Sequence, residues 1–480
     1  MIEKYIEKEI MRQVKLVEYL YEYKKLSIVD LATRLDVSYN TVKRDIQSLT
    51  IHLKEYIEQF EFAKTHVSIY FYSTYTRYDL ILKLYDHSKV LNVCLNYLNG
   101  DDDYLSIVKN EYVSPSKAFQ LKKRVENYLT AIGIWNEHGE WLEDEYTFRL
   151  VTLTVLSRKI LTDRYLDIEK LNVAKETVEK IFLHLSNMHT RNKREHTFLS
   201  LGVYLTVTRF QEHPLPSVPE AVHLKESLAF RVIKQQLKRY FKEIHLNDDE
   251  VLFLTILYKN MPLDTDTYVN TELNYQYERK HVIENHPTIE SLIFKFEEEF
   301  HNQLFYQIMF ERPFIFFCYS MFHNAQNFIL YRHYYLNEQQ LHLRDSVKKV
   351  LYEWKREVCP EAPFIFNDLA IEWFVSQVSF SLTLKGKQKR VFFIVAENEE
   401  SHIIYRESLK YWINLDYNMI DSHLYYSLDQ LSLYSDKNPH VIICERSILP
   451  VSEINHPHLF PISRRSIRED IKVIILENCF

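Results

Sequence analysis

Glycine is scarce in this chain of 480 residues, with only 5 copies, whereas Tyr numbers 35 and Phe 29. So little glycine argues against the loops that cradle phosphates, and neither GxGxxG nor GxxxxGKS/T occurs. HExxH, GxSxG and metal-ligand spacings are missing as well. The sequence therefore predicts no enzyme, no cofactor and no metal site.

Cysteine is also rare and never forms a CxxC pair, its copies being Cys94, Cys318, Cys359, Cys444 and Cys479. This scatter fits a reducing cytoplasm better than a disulfide or zinc framework. The chain shows no signal peptide at its start, and no run of about 18 apolar residues offers a membrane span. We therefore expect a cytoplasmic protein with no membrane partner. Since the net charge is -7, any affinity for nucleic acid must come from a local surface.

Residues 26–49, LSIVDLATRLDVSYNTVKRDIQSL, are the most informative stretch of the chain. Their spacing predicts a short helix capped by Ser27, a break at 36–38, and a second helix capped by Ser38. The apolar positions of the first helix are Leu26, Val29, Leu31, Ala32 and Leu35, and those of the second are Val42, Ile46 and Leu49. Two short helices with a three-residue turn are typical of a helix-turn-helix whose second helix enters the major groove. The predicted DNA-contacting residues are Ser38, Tyr39, Asn40, Thr41, Lys43, Arg44 and Gln47.

A second unit of the same kind is predicted at 104–132. Residues 104–112 favour a short helix and 116–132 a longer one, with Pro115 just inside its start, where a missing N–H costs nothing. The inner face of the longer helix consists of Ala118, Leu121, Val125, Leu129 and Ile132. Its opposite side carries net positive charge. The predicted DNA-contacting residues there are Ser114, Ser116, Lys117, Gln120, Lys123, Arg124 and Asn127.

A hairpin is predicted behind each of these helix pairs. Val67, Ile69 and Phe71 alternate with polar residues, which indicates a strand of a wing, although a strand that serves only packing fits the same alternation. Residues 133–142, GIWNEHGEWL, favour a second hairpin that turns at 138–139. Together these patterns predict two tandem winged helices. Ordinary amphipathic helices with solvated polar faces remain the alternative.

The rest of the chain has two parts, which differ in their pattern of apolar residues. From about 147 to 384 helical periodicities dominate, and the segments 223–260 and 345–378 each contain a long helix, a loop and a second helix with a cap at Asn247 or Asn367. Beyond 390 the sequence predicts a strand, a loop and a helix at 390–413, then buried strands at 440–445 and 471–476. This alternation indicates a small doubly wound α/β domain. Cys444, at the end of one strand, is predicted to be a buried structural thiol.

These motifs resemble known families. Residues 26–49 resemble the LAxxLxVSxxTVxRDIxxL pattern of bacterial winged helix-turn-helix regulators, the helical segments resemble the PTS regulation domain (PRD), and the end of the chain resembles the EIIB component of the phosphotransferase system. In this order the whole chain resembles the Mga/AtxA family of global virulence and metabolism regulators of Gram-positive bacteria. We predict a multidomain, mainly α protein with two N-terminal winged helix-turn-helix domains, two all-helical PRD-like domains and a C-terminal α/β EIIB-like domain. The predicted domain ranges are 1–74, 75–150, 151–272, 273–386 and 387–480.

The resemblance implies a DNA-binding transcriptional regulator, and in particular a global activator. Such a protein binds double-stranded promoter DNA through its tandem winged helices and forms a homodimer or higher oligomer through its C-terminal half. Members of the family tend to prefer curved DNA, which fits indirect readout. The further partners that the resemblance implies are RNA polymerase and phosphotransferase-system proteins, which would couple the regulator to sugar status.

Histidine phosphorylation is the family property that the residues support least. The usual acceptor positions of the regulation domain fall on Gly202, seven residues before Arg209, and on Leu257. The nearest histidines are His196 and His323, which we name as candidates for regulatory phosphorylation. For both of them the alternative is a packing or hydrogen-bonding role.

Phosphotransfer by the C-terminal domain is predicted to be lost. In EIIB proteins the first loop carries a phosphorylated cysteine, whereas the loop here, AENEES at 396–401, has no cysteine and has three acids that repel phosphate. The main competing interpretation of the chain is a phosphotransferase-linked sensor or interaction protein that does not bind DNA directly. The intact polar outer faces of both predicted recognition helices argue against it.

Overall fold

The computed structural model describes residues 1–163, 165–186, 192–216, 224–261, 267–383, 390–413, 418–431, 440–450 and 458–478. Cys479, residue 223 and the predicted domain boundary at 386–387 lie outside these ranges. The chain forms two compact units. Unit 1 comprises Met1–Phe296 and Phe305–Ser379, and unit 2 comprises Glu297–Leu304 and Phe380–Phe480. None of the helices in the described ranges is both long and apolar enough to cross a membrane.

Unit 1 begins with helices and a three-stranded antiparallel sheet. The elements are α1 (Lys8–Tyr23), β1 (Lys25–Ser27), α2 (Ile28–Arg34), α3 (Tyr39–His52), β2 (Ile57–Phe62) and β3 (His66–Phe71). The Ser27 and Ser38 side chains cap α2 and α3, as predicted, because they accept hydrogen bonds from the backbone N–H groups of Asp30 and Thr41. β2 pairs with β3 in an antiparallel hairpin, and β1 pairs with the other edge of β3. The first predicted hairpin is thereby confirmed.

The apolar face of α2 differs from the prediction at its start, where Leu26, predicted on the helix, lies in β1. Val29 is 65% exposed, whereas its neighbour Ile28 is fully buried. Because α2 begins at Ile28, its buried face consists of Ile28, Leu31 and the adjoining Leu35, at the three- and four-residue spacing of a helix. The prediction that Val29 lies in the core is therefore wrong.

A second group of helices follows and ends in a tight turn. These helices are α4 (Arg77–Tyr85), α5 (Lys89–Leu98), α6 (Tyr104–Glu111) and α7 (Pro115–Ile132). α6 and α7 agree with the predicted pair, and Ser114 caps α7. Gly133, with φ of 89°, ends α7 in the left-handed region that glycine favours. The predicted second hairpin closes through one bridge, between Trp135 and Trp141, around a turn that contains Gly139.

The rest of unit 1 is helical in its described ranges. Its helices are α8 (Glu145–Leu156), α9 (Ile168–Ser186), α10 (Lys193–Arg209), α11 (Leu228–Tyr240), α12 (Asp248–Lys259), α13 (Tyr268–Arg279), α14 (Pro287–Phe300), α15 (Ile308–Phe322), α16 (Glu338–Val358) and α17 (Asp368–Thr383). The last four residues of α14 and of α17 belong to unit 2. The predicted caps are present, since the Asn247 and Asn367 side chains accept the backbone N–H groups of Glu250 and Leu369 at 2.9 and 2.8 Å. Between α14, α15 and α17 the core is aromatic and contains Phe296, Phe310, Phe314, Phe317 and Phe374.

Unit 2 contains a parallel sheet, which confirms the predicted α/β character of this part of the chain. Its elements are β4 (Arg390–Val395), α18 (Glu399–Trp412), β5 (Asn418–Ile420), β6 (His440–Glu445), β7 (Leu459–Ile462) and α19 (Ile467–Asn478). The strand order is β5-β4-β6-β7, and every neighbouring pair is parallel. Cys444 is buried as predicted, and this burial, with the adjacent Glu445 charge, raises the pKa of its thiol to about 11.

The prediction of a strand at 471–476 is wrong, because these residues belong to α19. Ile471 and Ile474 are buried while Val473 is 48% exposed, which is the pattern of one helical face. Short apolar runs fit a buried strand and a buried helix face equally well, so periodicity alone could not separate them. The two edge strands of the sheet, β5 and β7, were not predicted.

Candidate nucleic-acid interface

The helix α3 has one fully buried side and one exposed polar side. Val42, Ile46 and Leu49 are inaccessible to solvent and pack inward, as predicted. Because the helix turns about 100° per residue, the positions between them face outward. The exposed predicted contact residues are Ser38, Tyr39, Asn40, Lys43, Arg44 and Gln47, and Thr41 is half-buried.

Three of these residues also hold the local structure together. Ser38 Oγ accepts the backbone N–H of Thr41 at 3.2 Å and lies 2.9 Å from Thr41 Oγ1. The Tyr39 hydroxyl donates to the carbonyl oxygen of Lys64 at 3.0 Å, which ties the start of α3 to the turn of the β2–β3 hairpin. The side chains of Asn40, Lys43, Arg44 and Gln47 are therefore the best placed to contact a ligand on this face.

An ion pair with α1 fixes the position of α3. Arg12 Nε lies 2.5 Å from Asp45 Oδ2, and Arg12 Nη2 lies 3.0 Å from Asp45 Oδ1. Asp45 is 3% exposed, and its hydrogen bond with Arg12 raises the pKa of that guanidinium. Gln13 Nε2 donates to Ser48 Oγ at 3.1 Å one turn further along. The sequence analysis missed these positioning residues. The signal that could have indicated them is the position of Asp45, a charged residue directly before the predicted core residue Ile46.

We expect the Asp45→Ala variant to lower the free energy of unfolding by about 2 kcal/mol, because Arg12 loses a charge-assisted, two-bond partner. Urea unfolding of the single and double variants measures the effect. The Arg12→Ala variant should lose a similar amount, and the double variant only slightly more, since both remove one interaction. Strictly additive losses would show that Arg12 and Asp45 do not stabilise the protein as a pair.

The helix α7 repeats the two-sided arrangement of α3. Ala118, Leu121, Val125 and Leu129 are buried, as predicted, together with Tyr128, while Ile132 is half-buried. The exposed predicted contact residues are Ser114, Ser116, Lys117, Gln120, Lys123 and Asn127, and Arg124 is half-buried. A surface depression on this side is lined by Phe119, Gln120, Lys123, Arg124 and Asn127. Phe119, 60% exposed, is the member that the sequence analysis missed, since an apolar residue at an outer position was not considered as a contact residue.

Residues 5–12, which include the start of α1, link the regions that contain α3 and α7. The Glu7 carboxylate accepts hydrogen bonds from Ser88 Oγ at 2.6 Å and from the backbone N–H groups of Lys89 and Val90 at 3.1 and 3.2 Å, so it caps α5. The rings of Tyr5 and Tyr128, the latter on α7, lie 5.4 Å apart. Residues 5–12 therefore contact both candidate recognition helices within unit 1, α7 through Tyr5 and α3 through the pairing of Arg12 with Asp45.

The two candidate phosphorylation sites lie in different surroundings. His196, in the first turn of α10, is partly exposed and has Nε2 3.5 Å from Glu179 Oε2. Burial lowers the pKa of His196, and the Glu179 charge opposes that shift. His323, at the end of α15, is 8% exposed, and its ring stacks on that of Tyr319. Of these two candidates, His196 therefore has the ring that is more accessible to solvent.

The resemblance to the PTS regulation domain places histidines at the positions of Gly202 and Leu257, and the structure brings these two positions together. A Cβ atom added to Gly202 on α10 would lie 2.6 Å from Leu257 Cδ1 and 3.3 Å from Leu254 Cδ2 on α12. Leu257 is 1% exposed. The place between these two helices is filled by packed leucine side chains, which neither accept nor transfer phosphate. In the described ranges no three His, Cys, Asp or Glu side chains converge as a metal site would require.

Comparison with protein families gives a match at the N-terminus. Residues 7–59 match the family described as the M protein trans-acting positive regulator (MGA) HTH domain. The matched range contains α1, α2 and α3 and reaches into β2. In a comparison with curated proteins no match is found. The exposed polar side of α3 thus lies within the matched range, and the N-terminal part of this chain is a helix-turn-helix domain that is similar to the MGA HTH domain.

Proposed function

We propose that this protein is a transcriptional regulator that binds double-stranded promoter DNA through α3. The observation that carries the proposal is the division of α3 into a solvent-inaccessible face and a polar outer face, inside the range that matches the MGA HTH domain. Helices that read the major groove need donors and acceptors on one side and firm packing on the other. α3 offers both.

The proposed roles of the outer residues follow from their chemistry. Lys43 and Arg44 carry the positive charge that neutralises phosphates, and Asn40 and Gln47 have paired donors and acceptors that fit base edges. The backbone N–H groups at the start of α3 add a partial positive charge toward the DNA. Affinity should therefore fall with salt, because displaced counterions supply much of it.

The helix α7 is proposed as a second DNA-binding element. Its outer side carries Lys117, Lys123 and Arg124, and residues 5–12 contact both α3 and α7. A protein with net charge -7 needs such local basic surfaces to approach DNA. Two elements held in one unit would contact neighbouring parts of a duplex, and curved DNA would improve their simultaneous fit.

We further propose that the protein is an activator rather than an enzyme, acts in the cytoplasm and forms a homodimer or larger oligomer through its C-terminal half, with RNA polymerase as a partner. These properties follow from the resemblance to Mga/AtxA regulators. Coupling to the phosphotransferase system is proposed to be weakened. The leucine packing at Gly202 supports this, because it fills the place where a phosphate acceptor would lie.

The loop after β4 also supports weakened coupling. Glu445, at the end of β6, accepts hydrogen bonds from the Glu397 backbone N–H at 2.8 Å, from the Tyr405 hydroxyl at 2.9 Å and from Ser401 Oγ at 3.2 Å. Ligands of such sheets bind at the carboxyl ends of neighbouring strands. Here the chain's own carboxylate already takes the donors that a phosphate would need.

A gel-shift titration tests the proposal on curved A-tract DNA and on a straight duplex at two salt concentrations. The Arg44→Ala variant should bind about 10-fold more weakly, since one phosphate contact is lost. The number of counterions released on binding, measured from the slope of log affinity against log salt concentration, should fall by about one. Arg239→Ala is the matched control, because it removes the same exposed charge from α11. Equal affinities for Arg44→Ala and the parent would exclude α3 as the reading element. No binding by the parent at either salt concentration would favour an interaction protein.

A further inference from the structure

Residues 330–336, LYRHYYL, connect the helical region of unit 1 to its helix-turn-helix. We call this segment the strap. It lies between α15 and α16, adopts neither helix nor strand, and contacts α1 and α2, which precede it by about 300 residues. Leu330, Tyr331, His333 and Leu336 are each 5% exposed or less. A segment without secondary structure must satisfy its backbone groups elsewhere, and the side chains that do so show what it holds.

One buried carboxylate joins the strap to the N-terminal helices. Glu18 on α1 is 1% exposed. Its carboxylate accepts hydrogen bonds from the backbone N–H of His333 and from the guanidinium of Arg77 on α4. Removing a buried charge from this pair of donors leaves both of them unsatisfied. The strap, α1 and α4 therefore meet at a single side chain.

A second contact reaches the first helix of the helix-turn-helix. The guanidinium of Arg34, at the end of α2, lies 3.8 Å from the centre of the Tyr335 ring, and its Nη1 donates to the carbonyl oxygen of Leu336. The same ring lies 5.1 Å from that of Tyr19 and 5.0 Å from that of Tyr23, both on α1. Tyr335 thus fills the angle between α1 and α2.

The other end of the strap is held by the helical region. Arg194 in the first turn of α10 donates to the carbonyl oxygen of Leu330 at 2.8 Å. Just before the strap, Thr154 Oγ1 on α8 donates to the carbonyl oxygen of Phe328 at 3.1 Å. The outer side of α3 stays exposed, with Arg44 in solvent, so the strap positions the helix-turn-helix without covering its candidate reading face.

We propose that the strap couples the packing of α8 and α10 to the position of the helix-turn-helix, with Glu18 and Tyr335 as its positioning residues. The part of this proposal that concerns DNA rests on the proposed function. Coupling between two sites is reciprocal, so a change that loosens the strap loosens α2 and α3, and DNA held by α3 tightens the strap.

Hydrogen exchange of the full chain, followed by mass spectrometry, tests the coupling without DNA. In the Tyr335→Ala variant, amides in 330–336 should exchange about 10-fold faster, and amides in 28–52 should also exchange faster. Glu18→Gln gives a second variant with an intact aromatic contact. Glu22→Gln is the control, because Glu22 lies on the same helix and pairs with Arg332 of the strap at the surface. Faster exchange confined to 330–336 in both test variants would overturn the coupling.

Addition of DNA separates this proposal from the proposed function. If the parent binds DNA, amides in 330–336 should exchange about 3-fold more slowly in the complex, and Tyr335→Ala should lose that effect. DNA binding that depends on Arg44 but leaves the exchange of the strap unchanged would overturn the coupling and leave the proposed function standing. If DNA does not bind at all, the proposed function fails, and the exchange of 28–52 in the DNA-free variants still decides the coupling.

Discussion

The Glu250→Ala variant is expected to lose about 3–5 kcal/mol of the free energy of unfolding, because it leaves a buried arginine without its main partner. Glu250, on α12, and Arg149, on α8, are both inaccessible to solvent. Arg149 Nη1 lies 2.5 Å from Glu250 Oε2, and Arg149 Nη2 lies 3.1 Å from Glu250 Oε1. The backbone N–H of Leu215 donates to the same carboxylate at 3.0 Å. Alanine removes three hydrogen bonds and exposes none of their donors to water.

The size of this effect follows from a network of four charges that joins α8, α10 and α12. Glu145 Oε1 lies 2.7 Å from Arg149 Nε and 2.7 Å from Arg209 Nε. Burial alone would raise the pKa of Glu145, but hydrogen bonds from Arg209 and Arg149 outweigh it and lower the pKa. With Glu250 removed, two arginines share one carboxylate, and a positive charge stays buried.

Asp248 provides the control on the same turn of α12. It pairs with Lys234 at 2.5 Å, but its side chain is 47% exposed. Exposed pairs of this kind contribute less than about 1 kcal/mol, so the Asp248→Ala variant should unfold at nearly the urea concentration of the parent. Glu250→Gln keeps an acceptor and should lose less than alanine does. If Asp248→Ala and Glu250→Ala lowered the free energy of unfolding equally, the buried network would not stabilise the protein more than an exposed ion pair does.

Local signals explain why the candidate interface could be predicted from sequence. The bounds of α3 and α7 depend on caps at Ser38 and Ser114 and on apolar residues three and four positions apart. All of this information lies within about 20 residues, so the exposed positions Arg44 and Lys123 follow from the helix period alone. The same period failed at 471–476, where a six-residue apolar run is too short to distinguish a strand from a helix face.

The pairs that position the interface could not be predicted, because their members are far apart in sequence. Arg12 and Asp45 are 33 residues apart, and Glu18 and His333 are 315 residues apart. A single acid or arginine in a helix resembles an ordinary solvated residue until the fold brings its partner close. The strap adds a second difficulty, since a segment without periodic structure gives no hydrophobic pattern that predicts what it contacts.

His333 is expected to make the protein less stable as the pH falls from 7 to 5. The residue is 4% exposed, and burial, followed by the Lys15 charge, lowers its pKa from an ordinary value of 6.5 to about 3, against the opposing charge of Glu3. Between these two values the unfolded chain binds a proton that the folded chain does not. The stabilisation is complete above about pH 6.5 and declines by about 1.4 kcal/mol per pH unit below it, so about 2 kcal/mol is lost at pH 5.

The His333→Leu variant isolates this contribution, because it keeps a side chain in the buried position and removes the titrating ring. Urea unfolding at pH 7, 6 and 5 should give a shallower fall in stability for the variant than for the parent. His342→Leu, which removes an exposed histidine from α16, should keep the slope of the parent. Burial also lowers the pKa of His52 and His402, so these residues contribute to the pH dependence of the parent and of both variants. The contribution of His333 is therefore the difference between the slopes of the parent and of His333→Leu. Parallel curves for His333→Leu and the parent would show that the strap takes up a proton at His333 without losing its place against Glu18.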